Sequence, residues 1–264
     1  MAEEFNSTLP RLEPKIIIPA RILRILEEMD KIAEGNEYAL YLSAVADPEN
    51  YSIWVRAKGD GDDDIDFFVP EQSISGALVE PEFCSEGITD DDGRPLDPID
   101  RKWNVIVHRH PEGVFGFSSV DESYLNQNNG ISFLYLKGYR VCDAMANFVA
   151  GDCLYDSRKL SAYTQDENGE LVPLNCKFDY RGHKTLRTKT APGVAEICEA
   201  VDISDVDIFE YKDRLKRAVR NFALSEEEMK MAETYASRIN GLRGMDLRTI
   251  AEDSKFGRAT DFLK

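Results

Sequence analysis

Two histidines and an aspartate lie close together in the segment VHRHPEGVFGFSSVD of this 264-residue chain. His108 and His110 are two positions apart, and alternate side chains of a strand share a face, so both imidazoles are expected on one side. Asp121 follows in the same segment. Two imidazoles and one carboxylate, with a fourth position left for water, form the ligand set of catalytic zinc sites. The segment therefore predicts a zinc centre made of His108, His110 and Asp121.

The residues that follow the histidines have the pattern of a helix start. Ser119 and Glu122 have the spacing of a capping box, which predicts that Asp121 lies in the first turn of a helix and that Ser118 lies just before it. A histidine pair alone is weak evidence for a metal. The evidence is stronger here because two of the chain's three histidines fall in this pattern, directly after the apolar, strand-like run 103–107.

The pattern H-x-H, seven residues, S-x-x-D resembles the signature of the JAMM (MPN+) zinc metalloprotease domain. The flanking text FSSVDESYLN is similar to that of the prokaryotic members of this Mov34/JAB family. The resemblance implies that His108, His110 and Asp121 bind Zn²⁺. It also implies that Ser118 helps to hold the oxyanion that develops during amide hydrolysis.

The family resemblance further implies a glutamate on the strand that follows the first helix. Glu37, in the segment NEYALYLSA, has this position and is the candidate general base, while Glu34 is a nearby alternative at the predicted helix end. Arg109 stands between the two histidines, where the family usually has serine or threonine. Because Arg109 is offset from them by one residue, its side chain is expected to point to the opposite face of the strand.

Hydrophobic periodicity predicts the elements that position these residues. An amphipathic helix is predicted over 19–34, followed by a hairpin of strands 37–46 and 51–57 and by a strand over 65–69. The later predictions, in chain order, are a surface loop over 84–100, strands over 103–107 and 131–136, a hairpin over 160–174 with Asn168-Gly169 at its turn, and two C-terminal helices marked by Ile208 to Phe222 and by Met231 to Leu242.

These elements and the resemblance predict an α+β (α/β) fold with a mixed, mostly antiparallel sheet flanked by helices, as in MPN/JAMM-like and cytidine-deaminase-like domains. The expected organisation has four parts. They are a leader over 1–14, the zinc hydrolase domain over 15–155, a hairpin and connector over 156–200, and a helical C-terminal region over 201–264.

The resemblance implies a zinc-dependent peptidase or isopeptidase that cleaves an amide bond in a protein substrate, such as a ubiquitin-like conjugate or precursor. A deubiquitinase-like metalloprotease is therefore the leading interpretation. The alternative is a scaffold protein that keeps the MPN fold and joins a larger assembly through its C-terminal helices. Similarity to the DNA-repair-associated RadC branch is a third interpretation, which the acidic charge and the lack of a preceding helix-hairpin-helix signature disfavour.

The composition argues against several other classes of protein. The chain carries 32 lysine and arginine residues against 49 aspartate and glutamate residues, and the resulting formal net charge of −17 disfavours nucleic acid as a partner. No apolar run reaches the roughly 18 residues of a membrane span, and no secretory signal is recognised, so a cytoplasmic location without membrane association is expected. The five cysteines lack CxxC spacing and predict neither a disulfide framework nor a cysteine-rich zinc site.

Overall fold

The computed structural model describes residues 14–59, 66–74, 79–81, 88–110, 116–118, 121, 130–157, 160–174 and 193–215. Their fold is α+β, with two mixed five-stranded sheets, one two-stranded sheet and few helices. The helices are α1 (Ala20–Ala33), α2 (Val194–Glu199) and α3 (Lys212–Leu215), with 3-10 turns at Pro98–Asp100 and Ile208–Tyr211. The strands are β1 (Lys15–Ile17), β2 (Tyr38–Leu42), β3 (Ala44–Asp47), β4 (Ser52–Val55), β5 (Gln72–Ile74), β6 (Val79–Pro81), β7 (Val105–Arg109), β8 (Ile131–Leu136), β9 (Arg140–Ala150), β10 (Cys153–Ser157), β11 (Ser161–Gln165) and β12 (Leu171–Pro173).

The strands divide between two main sheets, and β5 and β6 pair separately. The first sheet has the order β12-β11-β1-β4-β3, and β1 runs parallel to both of its neighbours. The second has the order β10-β9-β8-β7-β2, in which β7 and β8 form the parallel pair and the other pairs are antiparallel. The predicted α+β class and mixed strand pairing are confirmed, but two main sheets replace the single predicted one.

Several predicted elements have nearly the predicted bounds. Helix α1 corresponds to the predicted helix 19–34, β8 corresponds to 131–136, and β11 with β12 forms the predicted hairpin over 160–174. The stretch 37–46 is not one strand, because β2 ends before Ser43 and β3 begins after it in the other sheet. The predicted hairpin at this point is therefore formed by β3 and β4 alone.

Other predicted secondary-structure elements differ more from the structure. The predicted strand 65–69 is wrong, since in its described part Phe68 forms an isolated bridge with Tyr41 and no strand. Local periodicity does not predict β1 or the β9–β10 hairpin. The helical tail is described only as far as residue 215, and the predicted helix at Met231 to Leu242 lies outside the described residues. None of the helices in the described part of the chain combines the length and apolarity needed to cross a membrane.

The second sheet has two chemically different faces. One face packs against α1, where the Tyr38 hydroxyl donates to the Leu26 carbonyl and the Tyr135 hydroxyl donates to Glu27. The opposite face carries a smaller apolar cluster made of Ala39, Tyr41, Trp103 and Ile106, with Phe68 packed on it. Because side chains alternate along a strand, the residues next to Tyr38 point away from α1 and toward the smaller cluster.

The thiols provide a test of the packing of α2 against α1. Cys198 is fully buried, and burial raises the pKa of its thiol to about 12, whereas Cys153 is partly exposed. Because the thiolate is the reactive form, iodoacetamide at about pH 8 is expected to modify Cys153 in the folded protein and to spare Cys198. Peptide mass spectrometry measures both sites. Equal modification of the two cysteines would contradict this packing.

Candidate metal centre

Strand β7 positions the two histidines. It lies between β2 and β8, and His108 is opposite Ala39 on one side and opposite Leu134 on the other. His110 directly follows the last residue of the strand. Both imidazoles are buried, with 6% and 7% of the residue surface exposed, and their ring centroids are 4.9 Å apart. The structure thus brings the two rings together on the sheet face that points away from α1.

Asp121 is held by a reciprocal cap with Ser118. The Ser118 backbone N–H donates to Asp121 Oδ2 at 2.6 Å, and the Asp121 backbone N–H donates to Ser118 Oγ at 3.2 Å. Asp121 has helical backbone geometry, as predicted, and Ser118 precedes the helix. These two residues therefore make the capping box themselves. The predicted box partners, Ser119 and Glu122, lie outside the described residues.

The donor atoms of three side chains converge at this point. His108 Nε2 and His110 Nε2 are 3.1 Å apart. His108 Nε2 lies 3.4 Å from Asp121 Oδ1, and His110 Nε2 lies 3.4 Å from Asp121 Oδ2. Tetrahedral ligands at about 2.0 to 2.2 Å from a zinc ion lie about 3.3 to 3.6 Å from one another. The three side chains therefore have metal-binding donor chemistry and a spacing close to that of a tetrahedral set, with the two imidazole nitrogens slightly closer together than such ligands lie, so the group could hold a metal ion.

The pKa shifts of His108 and Asp121 suit a bound cation. Burial lowers the pKa of the His108 imidazole, although Asp121 acts in the opposite direction. Burial acts to raise the pKa of the Asp121 carboxyl, but hydrogen bonds with His108 and His110 together outweigh it and hold that pKa well below its usual range. A neutral imidazole and an ionised carboxylate are the forms that bind metals, so both shifts favour metal binding by His108 and Asp121 near neutral pH.

The surroundings of the centre are apolar on one side. Ile106 lies two residues before His108 on the same sheet face and belongs to the cluster with Ala39 and Trp103. The Phe117 ring packs near the His108 ring, with centroids 5.9 Å apart. Apolar neighbours lower the local dielectric and strengthen electrostatic interactions inside the site.

Glu37 directly precedes β2, the strand that pairs with the histidine-bearing strand β7. Tyr38 pairs with Arg109 and Ala39 with His108 in the antiparallel register of β2 and β7. Glu37 and His110 are the next residues beyond this pairing, and the same register continued by one step would set them opposite each other. Residues directly opposite in such a pair share a face. Glu37 is also buried, with 6% of its surface exposed.

The alternative base, Glu34, occupies a different environment. It is exposed in a left-handed conformation with φ 53° at the end of α1. Its side chain lines a groove formed by α1 and residues 201–212. Glu37 is therefore the better placed of the two carboxylates for chemistry at the histidines.

Sequence patterns miss two side chains near the centre. Gln72 is buried and uses both ends of its amide on one residue, accepting from the Ala39 N–H at 2.9 Å and donating to the Ala39 carbonyl at 3.1 Å. Asp143 lies opposite Leu134, in the same row of the sheet as His108. A charged residue within the otherwise apolar run 141–146 is the only signal for Asp143, and Gln72 has none.

Ser118→Ala is expected to weaken zinc binding about 10- to 100-fold, because Asp121 loses the hydroxyl that fixes the start of its helix. The helix start also loses about 1 kcal/mol of capping stability. Competition with a chromophoric chelator measures the affinity. Ser204→Ala is the matched control, since the Ser204 hydroxyl donates to an exposed aspartate, Asp202, at 3.1 Å. Equal zinc affinity in the two variants would contradict a role for Ser118 at the metal.

Comparison of the sequence with models of known protein families gives no match, and comparison with curated proteins gives none either.

Proposed function

We propose that this chain is a zinc-dependent hydrolase that cleaves an amide bond in a protein, as a peptidase or isopeptidase of the JAMM type. The observation that carries the proposal is the convergence of His108, His110 and Asp121, whose ligand atoms all lie within 4.8 Å of one another. These are three protein ligands, which is the number found in catalytic zinc sites with a position open for water. The resemblance of the H-x-H motif to the JAMM signature supports the reaction class.

Each polar side chain of the centre has a chemical role in this proposal. His108, His110 and Asp121 hold the ion, and a zinc ion there supplies a Lewis acid and activates water near neutral pH. Glu37 accepts a proton from the attacking water at its carboxylate and returns it to the leaving amine.

Ser118 serves the same reaction through its hydroxyl. Its oxygen accepts from the Asp121 N–H, and a hydroxyl that accepts one hydrogen bond can still donate another. Ser118 therefore keeps a proton to donate to the oxyanion of the tetrahedral intermediate. One side chain thus orients a metal ligand and stabilises the developing charge.

The substrate class, a ubiquitin-like conjugate or precursor, comes from the resemblance. Two substrates distinguish isopeptide cleavage in a conjugate from peptide cleavage in a precursor. Zinc-loaded protein is incubated with lysine-isopeptide-linked ubiquitin dimers and with linear ubiquitin-like precursors, and products are read by intact-mass spectrometry. Cleavage of either substrate that stops with 1,10-phenanthroline and returns with added zinc supports the proposal. Protein with one zinc per chain that cleaves neither of them, nor a mixed peptide library, contradicts it.

A hydrogen-bonded cluster without metal is the alternative explanation of the same contacts, with one ring donating a proton to the other across the 3.1 Å separation of the ring nitrogens. The two explanations differ in metal content. Purified protein that stays free of metal after incubation with zinc would favour the metal-free cluster and the scaffold interpretation.

A further inference from the structure

Arg109 is a buried cation between the two histidines, and its side chain leaves the site. It has 4% of its surface exposed, and its guanidinium forms an ion pair with Asp30 of α1, which is equally buried. The Arg109 side chain thus points toward α1, on the opposite face of the strand from the histidines, as strand alternation predicts. A buried arginine is costly unless its donors are satisfied, so the position of this side chain is strongly constrained.

The remaining guanidinium contacts lie on the segment that leads to Glu37. Arg109 Nη1 donates to the Gly35 carbonyl at 2.9 Å and lies 3.4 Å from the Asn36 carbonyl. These carbonyls follow the C-terminal end of α1, where the helix dipole favours a cation. The α1–β2 connection turns sharply here, since the φ angles are positive at Glu34 (53°) and at Gly35 (92°).

The backbone of Glu37 is consequently fixed on both sides. Before it, the carbonyls of Gly35 and Asn36 contact Arg109. After it, Tyr38 pairs with Arg109 in the strand register and its hydroxyl donates to Leu26. One residue of β7 thus binds both flanks of the position that carries the proposed base.

We propose that Arg109 is a positioning residue that holds Glu37 beside the metal ligands, an inference that rests on the proposed function. The backbone of Arg109 connects His108 and His110, while its side chain anchors the 35–37 segment. The metal ligands and the proposed base are therefore both positioned by the same residue. A displacement of about 1 Å between reacting groups can cost about 100-fold in rate, which gives such an anchor a large effect.

The test uses Arg109→Lys in the full chain. Lysine keeps the positive charge near Asp30. It lacks the planar guanidinium, with which Arg109 contacts Asp30 and the Gly35 carbonyl at the same time. We expect zinc content to stay at the wild-type level and KM to change less than about twofold, while kcat falls about 10- to 100-fold. Hydrogen exchange of the peptide that contains Glu37 should become faster.

Two further variants complete the design. Arg21→Lys is the matched control, because Arg21 is also an arginine that pairs with a buried aspartate, Asp66, at 2.8 Å. It should change neither kcat nor exchange at Glu37.

The double variant Asp30→Leu/Arg109→Met removes both buried charges together, which avoids an unpaired charge if Arg109→Lys fails to fold. It should show the same loss of kcat with zinc retained.

The outcomes separate this inference from the proposed function. Unchanged kcat and unchanged exchange at Glu37 in the Arg109 variants would overturn the positioning role, as would loss of zinc in parallel with activity. If the wild-type protein hydrolyses no amide, the proposed function fails. Hydrogen exchange at Glu37 then still shows whether Arg109 anchors the segment, because that readout needs no turnover.

Discussion

Replacing His108 and His110 together by alanine is expected to lower bound zinc from about one per chain to near zero and to abolish amide hydrolysis. Each side chain contributes one of three donor atoms, and a single remaining carboxylate, on Asp121, cannot hold zinc in competition with water. Mass spectrometry of metals in the purified variants gives the stoichiometry. Hydrolysis is measured on the same preparations.

The third histidine provides the control for this pair. His183 lies outside the described residues and is not one of the three proposed zinc ligands. His183→Ala should therefore keep the wild-type zinc content. Loss of zinc in this variant, or retention of zinc in the double variant, would show that the ligands are assigned incorrectly.

Glu37→Gln is expected to keep zinc but to lower kcat about 100- to 10,000-fold, the range that general acid–base catalysis contributes. Glutamine has nearly the same size and can fill the same buried position just before β2. It cannot accept a proton from water. The measurement is kcat for a cleavable isopeptide at matched zinc content.

Glu34→Gln is the matched control for the base. This substitution neutralises a carboxylate that is three residues before Glu37 and is exposed at the end of α1. Its kcat should stay within about twofold of the wild-type value, since the Glu34 side chain lines the groove between α1 and residues 201–212. A large loss of kcat in Glu34→Gln together with normal activity in Glu37→Gln would reverse the assignment of the base.

The parts of the site that sequence predicts well are the local ones. The alternation of β7 places His108 and His110 on one face, and short-range capping chemistry places Ser118 and Asp121 at a helix start. The Ser118–Asp121 cap is a contact beyond the predicted one, whose partners Ser119 and Glu122 lie outside the described residues. It makes Ser118 a direct partner of the proposed metal ligand Asp121.

The parts that sequence does not predict depend on distant pairing. The break at Ser43 sends β2 and β3 into different sheets, and a single polar residue within the otherwise apolar stretch 38–46 does not predict it. β1 is a strand because Ser161 and Ser52 lie on either side of Lys15, far away in sequence. Such contacts arise from the global fold and leave no periodic signal in a three-residue segment.

The same limit applies to the side chains that support the site. The pairing of Arg109 with Asp30 joins residues from β7 and α1, and Gln72 reaches β2 from a segment without recognisable periodicity. Residue type alone predicts that a buried arginine needs an anion. It does not indicate which of 49 acidic residues is the partner.

X-ray absorption spectroscopy at the zinc edge tests the proposed zinc centre most directly, because it reports the ligands of the ion itself. For the zinc-loaded wild-type chain we expect nitrogen and oxygen ligands at about 2.0 to 2.2 Å, with multiple scattering from two imidazoles. The same spectrum should contain no sulfur ligand. A sulfur shell at about 2.3 Å, or scattering from no imidazole, would contradict a centre built from His108, His110 and Asp121.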